Sequence, residues 1–217
     1  MQIRRRLKEI AKLVDKGASV VDIGCDHGFL DIYLTLYNAN ECIASDVNVN
    51  ALANAKQNIE KYQLSNQIQT VLSDGLSEIA VKEGSTLIIS GMGTSTMKHI
   101  LSSSKVNRFK TILVQSNNEL SELRRFMVKK GYRIIEESVV LDRTIYYVIM
   151  KWEVGKVRYR TYEYEFGPYL SAHLDLSREY YQFLLNQKRN ILSHIPKKHY
   201  IQTYTLRRQI RKLEKMI

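Results

Sequence analysis

The sequence predicts an α/β protein: a parallel sheet with helices on both faces, closed by an antiparallel hairpin and followed by a helical appendage. Three observations carry that reading. Short apolar runs alternate with helical patterns as far as Lys130, the signature of a doubly covered parallel sheet. Two further runs, Tyr132–Leu141 and Thr144–Trp152, are separated only by Asp142-Arg143, a link that permits a hairpin and forbids a parallel crossover. Beyond Gly167 there is no further glycine and only Pro196 among prolines, as expected of long helices.

Taken in order, Arg4–Lys16 spaces Leu7, Ile10, Ala11, Leu13 and Val14 on one helical face, with Gly17 as the expected C-cap. The strand runs are Ser19–Ile23, Glu41–Asp46, Ile68–Leu72, Ser85–Ser90 and Lys110–Gln115. Helical patterns lie between them at Asp31–Tyr37, Asn50–Tyr62, Ser95–Leu101 and Glu119–Lys130. Gly155–Pro168 reads as a polar, tyrosine-containing connection. Leu174, Tyr181, Leu184, Ile191 and Ile195 then form one apolar stripe, and Leu206, Ile210, Leu213 and Ile217 a second. Two helices broken at Pro196 make an antiparallel, coiled-coil-like hairpin. The expected division is 1–153 and 154–217, and the stripes are expected to pair within a monomer rather than across a homodimer.

The chain has 217 residues and a net charge of +11. Residues 1–150 hold 19 Lys+Arg against 16 Asp+Glu, and residues 151–217 hold 14 against 6. A basic surface concentrated on the last third suits a polyanion. No apolar stretch approaches a membrane span of roughly 18 residues, and no apolar signal region follows the basic start Met1–Arg6. A cytoplasmic location is therefore expected, with Cys25 and Cys42 as free thiols. The five histidines share no metal-ligand spacing with one another or with the cysteines, so no metal is expected.

The stretch Val20–Leu30 organises the rest. The strand run Ser19–Ile23 carries Asp22 two places before Gly24, the turn holds Gly24 and Gly28, and a helical pattern follows. Glycine there permits positive φ or close approach of a ligand to the backbone, and the helix start offers free N–H groups. The dinucleotide fingerprint G-x-G-x-x-G is absent, because Asp26 stands where its second glycine would be. The second strand ends in Ser45-Asp46-Val47-Asn48 and the third is followed by Asp74-Gly75. A carboxylate at Asp46 is placed to accept hydrogen bonds from both ribose hydroxyls of an adenosine cofactor. Acidic groups at successive strand ends suit a cation better than a phosphate.

These residues resemble the acidic-x-G-x-G-x-G turn and Rossmann-like sheet of class I methyltransferases, five parallel strands plus a closing antiparallel hairpin. That resemblance implies S-adenosylmethionine as cofactor, with Asp74 near the adenine amino group. More closely, the chain resembles the bacterial tRNA (adenine(22)-N1)-methyltransferase family. The likeness runs through Arg6-Leu7, Asp22-Ile23-Gly24-Cys25-Asp26-His27-Gly28, Asp74-Gly75-Leu76, Gly91-Met92-Gly93, Gln115-x-Asn117, Leu123-Arg124, Gly131-Tyr132 and Phe166-Gly167-Pro168. Thr94, Ser116 and Asp46 depart from the family's glycine, proline and glutamate; Thr94 is still expected to cap the next helix and Asp46 to keep its carboxylate function.

The resemblance implies methyl transfer to adenine N1 in folded tRNA, with the base rotated out of its stack. N1 is already nucleophilic, so the useful groups align it and oppose the charge that grows on the ring. Asp26 is the candidate, either accepting from adenine N6–H and later taking that proton, or serving only to bind the cofactor's amino group or cap the helix. His27 either orients the base and Asp26 or bonds at the helix start. The expected cofactor residues are Arg6, Asp22, Gly24, Cys25, Gly28, Asp46, Val47, Asn48, Asp74, Gly75, Gly91 and Met92, the last either against cofactor or base or simply filling core. Gly91-Met92-Gly93 lacks the Asp/Asn-Pro-Pro-aromatic motif of amino-directed adenine methyltransferases, which agrees with ring-nitrogen chemistry. The expected RNA contacts are Arg4, Arg5, Asn117, Lys188, Arg189, Lys197, Lys198, Arg207, Arg208, Arg211 and Lys212. The competing readings are a methyltransferase acting on another RNA site or on protein, and a cofactor-binding RNA chaperone without turnover.

Overall fold

The computed structural model describes residues 1–39, 41–196 and 199–217. They separate into two compact units, Met1–Val157 and Arg158–Ile217.

In the first unit the sheet order is β3-β2-β1-β4-β5-β7-β6, with strands β1 Ser19–Ile23, β2 Glu41–Asp46, β3 Ile68–Leu72, β4 Thr86–Met92, β5 Thr111–Ser116, β6 Tyr132–Asp142 and β7 Ile145–Val154. The first five are parallel, and β7 and β6 close the edge antiparallel. The helices are α1 Arg5–Leu13, α2 Phe29–Tyr37, α3 Val49–Lys61, α4 Thr94–Ile100 and α5 Leu120–Lys129. Central strands buried on both faces need continuous apolar runs. Leu87, Ile88, Ile89, Ile112, Leu113 and Val114 are buried accordingly. The order reverses between β1 and β4, so the carboxyl ends of those strands diverge there into a crevice, where ligands of such sheets bind.

Three local expectations are corrected. Helix α1 ends at Leu13, and Gly17, at φ 76, sits in the turn before β1 instead of capping the helix. The Asn38 amide, remote in sequence, donates to the carbonyls of Ala11 (3.1 Å) and Val14 (2.7 Å) and closes that end. Thr94 is the first residue of α4, not its cap. Its N–H donates to Asn118 Oδ1 at 2.9 Å, so the cap comes from the neighbouring loop. The β6–β7 link is Arg143-Thr144, one residue later than expected, with Arg143 at φ 59.

The second unit contains α6 Thr161–Phe166, α7 Pro168–Ala172, α8 Leu174–His194 and α9 Tyr200–Glu214. The segment expected to be a connection thus forms two short helices. Gly167 at φ 99 breaks them apart and Pro168 opens the second. Tyr181 anchors them: its hydroxyl donates to the Phe166 carbonyl at 3.0 Å and its ring meets Phe166 edge-on. Helices α8 and α9 pair antiparallel through Lys188–Gln209 and Arg189–Glu214. The buried stripe of α8 is Ser177, Tyr180, Tyr181 and Leu185; Ile191, expected inside, is 52% exposed.

Candidate functional site

At the carboxyl ends of β1, β2 and β4 lies a cavity of about 930 Å³, within the size range of small-molecule sites. Arg4, Arg6, Asp22, Gly24, Cys25, Asp26, His27, Asp46, Gly91 and Met92 all line it. The turn after β1 is built backbone first. Gly24 and Cys25 both donate N–H to the Ser45 carbonyl, at 2.7 and 3.0 Å, tying the turn to β2. Gly24 has φ 83, and a Cβ there would fall 2.2 Å from Met92 Cε. Only glycine lets the methionine lie across this turn. Gly28, at φ 69, is the N-cap of α2 and packs against Ala55 of α3.

Asp26 occupies the middle position at φ 51, a left-handed conformation that glycine takes easily and aspartate tolerates. Its N–H donates to Asp46 Oδ2 at 3.2 Å, while Asp46 Oδ1 accepts from Asn48 N–H at 2.8 Å. Both oxygens of Asp46 are thereby oriented, and each retains a lone pair for a hydroxyl. The Asp26 side chain is 73% exposed, with His27 Nε2 3.5 Å from its Oδ1. The rings of His27 and Phe29, both in the cavity wall, are 6.0 Å apart.

Behind this exposed layer the acids are buried. Asp22 is 3% exposed and its Oδ1 has no hydrogen-bond partner. Burial pushes its carboxyl up to about 7; Arg6 opposes the rise and Asp46 adds to it. Asp31 of α2 is wholly buried with neither oxygen bonded, and burial together with the Asp22 charge holds its carboxyl well above the usual range. Burial likewise raises the thiols of Cys25 and Cys42, both free, so neither is an activated nucleophile.

The β4 end of the cavity is held by amides. A bulge between Ser90 and Met92 puts Gly91 at φ 77, and a Cβ there would meet Arg6 Nη1 at 3.0 Å. Gln115, fully buried, accepts from Arg6 Nη1 (2.5 Å) and from Gly91 N–H (3.2 Å), and donates to Asn117 Oδ1 (3.1 Å). Asn117 donates its amide to the Gly91 carbonyl at 2.8 Å. The Arg6 guanidinium also lies 5.3 Å from the centre of the Tyr147 ring, a cation–π distance. Arg6 is thus fixed on two sides within the cavity, a few residues from the exposed Arg4 and Arg5.

Asn48 caps α3 through its side chain, accepting from Asn50 and Ala51 N–H. Val47 is 68% exposed at the β2 end. Exposed Asp74 and buried Gly75 follow β3, outside the wall of the 930 Å³ cavity. Asn117 is also outside that wall, with its amide committed to Gly91 and Gln115. The basic residues expected to meet RNA late in the chain lie in the second unit. There Lys188 donates to Gln209, Arg189 pairs with Glu214, Arg208 pairs with Glu165, and Lys212 sits 3.7 Å above the Tyr162 ring. Lys188 is partly buried, which lowers its ammonium below the usual range, with Glu165 acting against the shift. Lys197 and Lys198 fall outside the described residues. Among the described residues no group of three or more His, Cys, Asp or Glu is placed to hold a metal ion.

Sequence reasoning assigned no role to Gln115 or Asp31. The signal for Gln115 was an amide ending an otherwise apolar strand. For Asp31 it was an acid inside the apolar run Phe29-Leu30-Asp31-Ile32.

The cavity fits S-adenosylmethionine on its own chemistry. It offers an oriented carboxylate for a ribose, glycine turns without Cβ, buried acidity facing a cation, and a fixed guanidinium for a carboxylate. A family model described as a methyltransferase domain matches residues 3–150. The tRNA (adenine(22)-N(1))-methyltransferase of Bacillus subtilis is 28% identical over 158 residues, covering 71% of this chain and 66% of that protein. The chain therefore spans just under two thirds of that relative. A Streptococcus pneumoniae structure, a candidate tRNA (m1A22) methyltransferase, superposes with a TM-score of 0.90 at 27% identity over 99% of each chain. Mycoplasma capricolum TrmK, solved with S-adenosyl-homocysteine, gives 0.84 at 28% identity, covering 99% of this chain and 97% of that one. With the glycine turn, the acidic strand ends and the hairpin-closed sheet in place, the chain belongs to the bacterial tRNA (adenine(22)-N1)-methyltransferase family of class I methyltransferases.

Proposed function

We propose that this protein transfers a methyl group from S-adenosylmethionine to N1 of adenine 22 in tRNA. The single observation that carries the reading is the Gly24–Gly28 turn, which puts the Asp26 carboxylate in the same cavity as Asp22, Asp46 and Arg6. Bound S-adenosylmethionine supplies a methyl group on a sulfonium, open to in-line attack. The residues of the chain align and stabilise. Asp46 holds the ribose hydroxyls, Val47 and Asp74 flank the adenine, and Arg6 faces the amino-acid carboxylate. Gly24, Cys25, Gly91 and Met92 shape the walls of that seat, and Gly28, Asn48 and Gly75 form the turns around it.

Adenine N1 brings its own lone pair, so no strong base is required before attack. Positive charge then spreads over the purine as the new bond forms. Asp26 accepts a hydrogen bond from N6–H, opposes that charge, and takes the proton afterwards. His27, 3.5 Å away, steers the Asp26 carboxylate. Asn117 acts through the loop it fixes. The catalytic role falls to residues 1–153 and the RNA-holding role to 154–217, with Arg4 and Arg5 as further phosphate contacts. The protein works as a cytoplasmic monomer; among the described residues no helix is long and apolar enough to cross a membrane.

The test is incubation with a tRNA transcript and methyl-labelled cofactor, followed by digestion to nucleosides. Label is expected in 1-methyladenosine and lost when adenine 22 is replaced. Label in N6-methyladenosine or in protein overturns the assignment. Cofactor uptake without any transfer points to a non-catalytic RNA chaperone.

A further inference from the structure

The basic residues of α9 divide into two sets. Arg208 is paired with Glu165 and Lys212 covers the Tyr162 ring. Arg207 and Arg211 are exposed and make no ion pair among the described residues. They share a helical face with Tyr200 and Tyr204, at spacings of four, three and four. The two tyrosines are 77% and 72% exposed. Large aromatic rings left in water next to uncompensated cations cost solvation and gain nothing inside the fold. Tyr200, Thr203, Tyr204, Arg207, Arg208 and Arg211 line a concavity of about 280 Å³.

We propose that this stripe is a stacking platform for unpaired nucleotides of the RNA substrate. Tyr200 and Tyr204 take base faces, and Arg207 and Arg211 hold the phosphates between. Interleaved aromatic and basic residues are the recurring chemistry of single-strand binding. Charge selects the occupant: α9 carries Arg207, Arg208, Arg211 and Lys212 against Glu214 alone, so a second copy of this chain would meet like charge. The inference rests on the tRNA reading above and adds that the second unit grips a looped or terminal stretch, not only duplex backbone.

The experiment titrates the full chain with a fluorescein-labelled single-stranded oligoadenylate and with a tRNA transcript, across a salt series. Tyr200→Ala and Tyr204→Ala are each expected to weaken oligoadenylate binding about 5- to 150-fold, the effect of one lost base stack. The salt slope should not change, and Tyr→Trp should restore affinity. Arg207→Ala and Arg211→Ala should each lower the log–log salt slope by about 0.7. Because the tyrosines are exposed, the variants should keep wild-type helicity and S-adenosyl-homocysteine binding. Unchanged oligoadenylate affinity in both tyrosine variants overturns the proposal. So does a dimer that Tyr→Ala dissolves, which would give the surface to a second copy. The methylation assay stands apart: tyrosine-dependent binding without 1-methyladenosine would sink the proposed reaction and leave the platform, and the reverse result would do the opposite.

Discussion

Two places in the first unit bury carboxyl groups, and they do so in opposite ways. Glu137 of β6 is shut in with Arg124 of α5, whose Nε and Nη2 donate to Oε1 at 3.0 and 2.8 Å. Asp22 and Asp31 are as deeply buried, yet Asp31 has neither oxygen bonded and Asp22 leaves Oδ1 without a partner. The first pair is complete and has nothing to offer a ligand. The second leaves acidity uncompensated under a cavity, where an incoming cation can finish what the fold does not. The same residue type is structural in one place and poised in the other, and the difference is the presence of a bonded guanidinium.

The largest effect should come from breaking the complete pair. Glu137→Ala leaves the Arg124 charge buried without its carboxylate, and is expected to cost about 3–5 kcal/mol of stability in urea unfolding. A loss below about 1 kcal/mol would mean the pair is not what holds β6 to α5. Next in size, Asp26→Ala should lower the methylation rate about 100- to 1000-fold, with tRNA affinity changed by less than about 2-fold; a large loss of tRNA binding with normal turnover would move Asp26 from chemistry to docking. A smaller effect is expected at the amide cluster. Gln115→Leu removes the acceptor shared by Arg6 and Gly91 N–H. An unmade buried bond of this kind is worth about 1–3 kcal/mol, and S-adenosyl-homocysteine affinity by calorimetry should fall about 10-fold.

The last effect is read as a slope against pH, and it tests the poised side directly. The Asp22 carboxyl is raised in the fold from 3.8 to about 7, so the folded state holds its proton where the unfolded chain has released it. Its contribution to stability is full below about pH 4 and is lost as pH rises through about 7. A fully retained extra proton corresponds to about 1.4 kcal/mol per pH unit. Between pH 5 and 8, urea unfolding of Asp22→Asn should therefore lose stability less steeply than the wild type. Parallel slopes would show that Asp22 ionises inside the fold as it does outside.

Most of the sheet was legible because its signals are local. β1, β2 and β3 fall on the residues their apolar runs mark, and the short link after Asp142 was enough to place the hairpin. The turn glycines and Asp46 were readable because their spacing repeats a known geometry. What escaped depends on contacts distant in sequence. Nothing near Val14 says that Asn38 will close α1, and nothing near Thr94 says that Asn118 will cap α4. The two helices at Thr161–Ala172 were hidden because their order comes from the Tyr181 hydroxyl and ring, which meet Phe166 from 15 positions further along the chain. In α8 the expected stripe holds at Tyr181, which is fully buried, but Leu185 and not Ile191 continues it inside. The basic hairpin was counted correctly as charge. Only geometry separates Arg189 and Arg208, already matched with glutamates, from Arg207 and Arg211.

The backbone at position 26 sets conformational comfort against chemistry. A side chain is held there in a left-handed turn at an energetic cost that glycine would relieve. Asp26→Gly should therefore make a sturdier protein and a poorer enzyme, the two properties moving in opposite directions from one substitution. A thermal-melting series set beside the methylation rate of the same variants would show whether comfort and reactivity trade against each other at this one position.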